Sequence, residues 1–279
     1  MLKERIAEKM PELSSGQADV ARFLLKSPKE AAFLTALQVG ERVGVSESTV
    51  IRLATTLGFS GYPALRTAVK ELLMERLSTL ERIREISSDD ANLYLEAIDG
   101  DIGALKAAQE SLEHDVIDAL GEKIAGSAKV FVAAGRSSRA LAWYFCYYLS
   151  WFFPGIEMLE PDNALEKISA AKEDCLVMGI SFPRYTSWTV EVLRRASELG
   201  VPTASITNDH ASPLAAWSRW VVSAPWNPVS FIDSFAAPLS VVNCVILSAV
   251  NVLGDEAQKR LQTLEELWGA QKVYASAKR

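Results

Sequence analysis

Histidine and cysteine are scarce in this sequence: two of the first, His114 and His210, and three of the second among 279 residues. Two histidines cannot build a multi-histidine metal cage, so no metal and no other cofactor is expected. The cysteines, Cys146, Cys175 and Cys244, are widely spaced, set among apolar residues and include no C-x-x-C pair. They read as reduced core thiols rather than as a disulfide framework. An unbroken apolar run of membrane-spanning length is also missing. Ala140 to Ile156 carries no charge, but it falls short of the roughly 20 residues a span needs and Pro154-Gly155 breaks it. The second such run, Phe235 to Leu253, contains Pro238, Ser240, Asn243 and Ser248. Both read as helices buried on nearly all sides, a second subunit being one plausible cover. The opening residues, MLKERIAEKMPELSSG, lack the apolar stretch of a signal peptide. The expectation is a cytoplasmic protein with no membrane partner.

Positive charge is short as well. The net charge is −6, which excludes a uniformly basic coat for nucleic acid. The balance is uneven, however: residues 1–80 hold 11 Lys/Arg and 9 Asp/Glu, the remainder 18 and 26. A mildly basic first segment on an acidic body hints at a DNA-facing domain. With 49% hydrophobic and 23% charged residues the chain is compositionally globular, which rules out wholesale disorder.

What is present divides into two grammars. The first 77 residues read as helices punctuated by turns: one opened by Ser14-Ser15 and closed before Pro28, a short one over Lys29 to Leu34, one capped by Thr35, and one capped by Ser46 and closed by Gly58. Tyr62-Pro63 starts the next, and apolar residues at helical spacing predict that it continues from Ala64 to Ile86. Ser87-Ser88-Asp89-Asp90 is the best boundary signal. Asn92 to Ala125 is helical again, with an interruption expected at Asp99-Gly100. Beyond it, Lys129–Ala134, Asp174–Ile180, Pro202–Thr207 and Arg219–Ser223 are short apolar runs, separated by helical segments near Ser137–Trp151, Thr186–Leu199 and Pro213–Ser218. Alternation of this kind predicts an α/β domain, a parallel sheet with helices on both faces, behind an all-α domain. The expected layout is a helix-turn-helix domain over 1–77, connecting helices over 78–114, the α/β domain over 115–254 and a C-terminal helix or tail over 255–279.

Thr35 to Leu53 (TALQVGERVGVSESTVIRL) carries the most specific pattern of the first domain. Two helices crossing over a three-residue turn need a left-handed residue in the turn, supplied by Gly44. They also need a small residue where they approach, supplied by Gly40, and apolar anchors. Val50 and Leu53 are assigned to the second helix, Leu37 and Val43 to the first. With Val50, Leu53, Ala54 and Leu57 buried, the outward face shows Ser48, Arg52 and Thr55, flanked by Thr49 and Thr56, with Ser46 at the cap. Hydroxyls for phosphates or base edges and one arginine for a guanine edge suit a helix entering the major groove. Arg66 and Lys70 on the following helix are equally consistent with phosphate contacts and with a solvated face.

The second pattern begins where the first strand ends, at Gly135-Arg136-Ser137-Ser138. A strand running through Gly-x-Ser-Ser into a helix brings backbone N–H groups, two hydroxyls and a helix N-terminus to one point, an arrangement that holds a small anion. The lysine of a Walker loop and a G-x-G-x-x-G pattern are absent, which argues against a nucleoside triphosphate or a dinucleotide. A later strand ends similarly in Ser181-Phe-Pro-Arg184-Tyr185-Thr186 before another helix. Two such turns at the carboxyl ends of parallel strands lie where open α/β sheets bind ligands.

Taken together, these stretches resemble the RpiR/MurR family of bacterial transcriptional regulators, a helix-turn-helix domain joined to a sugar-isomerase (SIS) domain. The likeness rests on Val43-Gly-Val-Ser-Glu-Ser-Thr-Val-Ile-Arg52 with Leu57-Gly-Phe-Ser-Gly-Tyr62, and on Ala134-Gly-Arg-Ser-Ser-Arg139, Ile180-Ser-Phe-Pro-Arg-Tyr-Thr186 and Ile206-Thr-Asn-Asp-His-Ala-Ser-Pro-Leu-Ala215. The resemblance implies operator DNA as partner, a homodimer or homotetramer, and a phosphorylated sugar or sugar-acid effector. Its second turn commonly reads Ser-x-Ser-Gly-x-Thr; here Ser181 and Thr186 match, while Pro183 and Arg184 replace the second Ser and the Gly. Arg184 is either a charge-assisted contact to the anion or a solvated arginine. The alternative function is a SIS-type sugar-phosphate isomerase, for which His210 is the one candidate base in that region. No catalytic residue is assigned, and a regulator is expected.

Overall fold

The computed structural model describes residues 2–32, 34–84, 93–229 and 231–275. The boundary signal at 87–90 lies outside the described residues. The chain divides into two compact units, residues 1–91 with 228–232, and residues 92–227 with 233–279.

The first unit is helical: α1 (Leu2–Lys9), α2 (Ser15–Lys26), α3 (Pro28–Ala31), α4 (Ala36–Val43), α5 (Glu47–Thr56), α6 (Tyr62–Arg76) and α7 (Thr79–Arg84). Their starts follow local chemistry. Ser14 and Thr35 form capping boxes with Gln17 and Gln38, and the Ser46 hydroxyl accepts from the Thr49 N–H. Ile6, Val20, Leu24, Val39, Val50, Leu53 and Leu65 are fully buried in one core. Two expectations need correction. The long helix from Tyr62 breaks at Leu77, which is extended (ψ 139°), because the Ser78 hydroxyl and the Glu81 carboxylate start a new helix with a capping box of their own. Hydrogen bonding to its carboxylate from the Ser78 side chain and the Ser78 backbone N–H holds the Glu81 carboxyl below its usual range. Leu37 is 52% exposed and anchors nothing; Ala36 and Val39, about one turn from each other, face the core instead.

The second unit opens with α8 (Leu93–Glu110) and α9 (His114–Ala125) and continues as an α/β domain. No break occurs at Asp99-Gly100. Gly100 sits mid-helix where a Cβ would meet the Asn227 amide nitrogen at 2.6 Å, so close approach rather than a turn explains it. Strands β1 (Lys129–Ala133), β2 (Ile156–Met158), β3 (Cys175–Ile180), β4 (Thr203–Thr207) and β5 (Trp220–Ser223) form a parallel sheet in the order 2-1-3-4-5. Helices α10 (Arg139–Leu149), α11 (Ala164–Ser169), α12 (Ser187–Glu198), α13 (Ala236–Asn251) and α14 (Asp255–Gln271) complete the domain; a small hairpin, β6 (Asn227–Val229) and β7 (Ile232–Ser234), contains the stretch 228–232 that groups with the first unit. The segment expected to be helical at Pro213–Ser218 is one 3-10 turn, Ala215–Trp217.

Alternation along the strands separates two cores. Val130, Val132, Leu176, Met178, Ala204 and Ile206 pack with α9, α10 and α13 on one face. Phe131, Ala133, Cys175 and Val177 pack with α11 and α12 on the other. Both faces covered is the condition that makes a parallel strand apolar throughout, as β3 is. Among the described residues, no single helix is long and apolar enough to cross a membrane.

Candidate functional site

Two constellations stand out, one in each unit. In the first, Gly44 adopts φ 81° and closes α4, while a Cβ on Gly40 would lie 2.7 Å from the Val45 carbonyl oxygen. The two glycines let α5 turn back against α4. Val50, Leu53, Ala54 and Leu57 are buried, and Ser46, Ser48, Arg52 and Thr55 are exposed, as the helical spacing predicts. The Arg52 side chain lies back along α5, its Nε donating to the Ser48 carbonyl at 3.2 Å. Thr49 and Thr56 are half-buried. Thr56 accepts from Gln17 Nε2 at 3.2 Å and donates to the Arg52 carbonyl at 2.9 Å, so its hydroxyl is spent inside the unit. Ile51, passed over in the sequence, is 43% exposed beside Arg52. Its place outside the buried stripe was the available signal, and an aliphatic group there suits a thymine methyl.

The second constellation lies at the carboxyl ends of β1 and β3. In the order 2-1-3-4-5 the chain leaves β1 towards one edge and β3 towards the other, so the crevice between their exits is the switch point of the sheet. The turn after β1 holds Gly135, Arg136, Ser137 and Ser138; that after β3 holds Ser181, Arg184, Tyr185 and Thr186. The two turns touch: a Cβ on Gly135 would lie 2.6 Å from Thr186 Cγ2 and 2.7 Å from its Oγ1. Only glycine permits this approach. Ser181 is buried and its hydroxyl accepts from the Thr186 N–H at 3.3 Å, folding the second turn onto itself. Ser138 is buried, whereas Arg136, Ser137 and Arg184 are exposed. The turns therefore form an open shelf.

Backbone strain marks both turns. Among the described residues three non-glycine positions have positive φ, and two of them are Arg136 (53°) and Arg184 (67°). Each arginine holds a left-handed conformation that L side chains rarely adopt, and such outliers concentrate at binding sites. Arg184 thus holds a backbone conformation that glycine adopts freely while carrying a guanidinium. Ser138 and Thr186 stand at the N-cap positions of α10 and α12, and neither side chain makes a capping hydrogen bond.

Neighbouring loops add groups that no local pattern revealed. Arg139 makes a bidentate pair with Glu160, in the loop after β2, at 2.9 and 2.6 Å. The guanidinium holds the Glu160 carboxyl below its usual range. Tyr185 donates to Asn208 Oδ1 at 2.6 Å, fastening the second turn to the loop after β4. His210 is more than half exposed, with Nε2 2.9 Å from Glu113 Oε2 ahead of α9. Burial pushes the Cys146 thiol up to about 12, which leaves it unreactive at neutral pH. Two clefts, of about 230 and 590 Å³, lie around the amino-terminal ends of β1, β2 and β3, and neither includes a residue of the serine turns.

The chain matches two family models. The helix-turn-helix domain of the rpiR family covers residues 1–76, and the SIS domain covers residues 123–248. The HTH-type transcriptional regulator HexR of Pseudomonas aeruginosa is 25% identical over 228 residues, 80% of this chain and 79% of that protein. An uncharacterized HTH-type transcriptional regulator of Caldanaerobacter subterraneus is 25% identical over 224 residues, 75% of each chain. Among solved structures, the sugar isomerase domain of an RpiR transcription factor from Sphaerobacter thermophilus aligns with TM-score 0.59 at 25% identity, over 63% of this chain and 99% of that one. The NanR protein of Vibrio vulnificus, complexed with ManNAc-6P, shares the fold with TM-score 0.57 at 18% identity, over 96% of this chain and 98% of that one.

Proposed function

Because the chain belongs to the RpiR family of helix-turn-helix transcriptional regulators, with a SIS domain behind the DNA reader, we propose that α5 reads an operator and that a phosphorylated sugar or sugar acid on the serine turns modulates that reading. The observation that carries the effector half is the contact between Gly135 and Thr186, which brings two hydroxyl-bearing turns to one point at the switch of the sheet. The uncapped starts of α10 and α12 face the anion with helix N-termini, and Arg184 supplies a charge-assisted contact. A phosphosugar ligand accords with ManNAc-6P in the Vibrio vulnificus NanR structure.

Ser46, Ser48, Thr49, Arg52 and Thr55 form the groove-reading face, and Thr56 steadies it from within. One such helix reads too few bases for strong specificity, so two copies act together as a homodimer or homotetramer. Exposed Trp143 and Tyr147 on α10 and Leu247 on α13 support self-association of the second unit. Effector binding changes how those copies pack, and linkage then requires DNA to change effector affinity in return. A regulator rather than an isomerase is supported by relatives named as regulators and by His210, the candidate base, being taken up by Glu113.

The test is a thermal-shift screen of sugar phosphates and phosphorylated sugar acids on the full chain, followed by DNA binding with and without the hit. A stabilising phosphosugar that alters DNA affinity is the expected result. Stabilisation without any change in DNA affinity, or turnover of the hit, overturns the regulatory reading.

A further inference from the structure

Helix α8 is packed inside out. Its small residues face its own unit: Ala104 and Ala108 pack on the core, and Gly100 lies against Asn227. Its large apolar residues face away. Leu95 is 61% exposed, Ile98 56%, Ile102 45% and Leu105 38%. A helix that lies on a globular core shows the opposite arrangement, large groups inward and polar groups outward. The exposed four are spaced three, four and three residues apart, which is the a-d-a-d repeat of a helix that pairs with another helix. Four aliphatic groups in one straight seam also exceed the scattered apolar residues of an ordinary surface.

We infer that this seam pairs with α8 of a second copy of the chain, parallel and in register. Flanking charge selects the occupant and the direction. Taking Leu95 and Ile102 as a and Ile98 and Leu105 as d, positions g are Tyr94 and Asp101, and positions e are Asp99 and Lys106. In a parallel pair each g residue meets the e residue five positions on in the partner copy. Asp101 of one copy then faces Lys106 of the other, and the Tyr94 hydroxyl faces Asp99, twice each by symmetry. Asp101 already accepts from Asn227 through Oδ1, which fixes its carboxylate at the seam's edge and leaves Oδ2 for the lysine. Antiparallel pairing that matches Leu95 with Leu105 and Ile98 with Ile102 instead brings Asp99 against its own copy, a like-charge contact. Two heptads make a short seam, so it works beside other contacts rather than alone.

The inference rests on neither DNA nor effector, and its test uses the full chain without either. Ile98→Cys is oxidised and run under non-reducing conditions beside the unsubstituted chain. A covalent dimer specific to the variant is expected, because d positions of a parallel pair face one another. A mixture of Leu95→Cys and Leu105→Cys chains that cross-links while Ile98→Cys does not overturns the parallel arrangement, and no cross-link in either overturns the seam. The double variant Ile98→Glu/Ile102→Glu is followed by sedimentation, with self-association expected to weaken at least tenfold. Both side chains are exposed in the single chain, so its melting is expected to hold. Unchanged self-association in that variant also overturns the proposal, since the chain's own first unit or another protein would then be the cover. The same substitution at Leu165, exposed on α11, is the control and leaves association as it was.

Discussion

Hydroxyl residues begin helices in both units, but they are used differently. In the first unit Ser14, Thr35 and Ser46 each accept a hydrogen bond from an N–H of the helix they start. In the second unit Thr186, before α12, and Ser138, the last residue of a 3-10 turn (Arg136–Ser138) that runs into α10, make no such bond. One set satisfies its helix and fixes where the helix begins. The other leaves its helix starts without a side-chain cap, beside two arginines held at positive φ. Under the proposed function, the same residue type serves stability in the helix-turn-helix unit and recognition in the SIS domain. The backbone around it decides which.

That contrast can be broken at its junction first. Gly135→Val drives a side chain into Thr186; it should cost about 1–3 kcal/mol by overpacking and abolish phosphosugar-induced thermal stabilisation, while salt-dependent DNA retention persists. Retained ligand stabilisation would show that the two turns do not act as one site. Next in size, Arg52→Ala should weaken specific operator binding by about 1–3 kcal/mol and relax one base position. Equal loss on random DNA would reduce Arg52 to a phosphate contact.

A direct comparison of the two hydroxyl roles follows. Ser46→Ala should cost about 1 kcal/mol of stability and speed amide exchange at Thr49, whose N–H keeps the Ser46 carbonyl at 2.9 Å but loses the hydroxyl as its second acceptor. Ser138→Ala should cost less than half as much in melting yet weaken effector binding. Equal destabilisation by both variants would erase the distinction. The smallest effect concerns the Arg139–Glu160 pair. The Glu160 carboxyl sits below its usual range in the folded chain, so its contribution is complete above the ordinary carboxylate value near pH 4.5. It is lost as pH falls through the lowered value. Glu160→Gln should flatten that part of the acid limb of the melting curve, and an unchanged limb would show the pair to be idle.

The two units also differ in how much of them could be read from residues. In the first, Ser14, Thr35, Ser46 and Gly44 announced helix ends because a cap or a left-handed turn involves neighbours within four positions. Leu37 misled because two helical faces were open to it, and which one met the core depended on α2 and α5. The Ser78–Glu81 capping box was legible but was overridden by an apolar spacing that continued across it. In the second unit β1, β3, β4 and β5 stood out as apolar runs, whereas β2, only Ile156–Met158 at the edge of the sheet, carries too little burial to show. Arg139–Glu160, Tyr185–Asn208 and His210–Glu113 join residues 21, 23 and 97 positions apart, beyond any local pattern.

Residue order alone determined the strands β1, β3, β4 and β5, the caps at Ser14, Thr35 and Ser46, and which turns end in hydroxyls, since each depends on steric and hydrogen-bonding preferences a few residues long. Strand order was decided only in three dimensions. Placing β1 beside β3 set Gly135 against Thr186 and drew two distant turns together, because close packing of a twisted sheet and its covering helices leaves room for one arrangement of their ends.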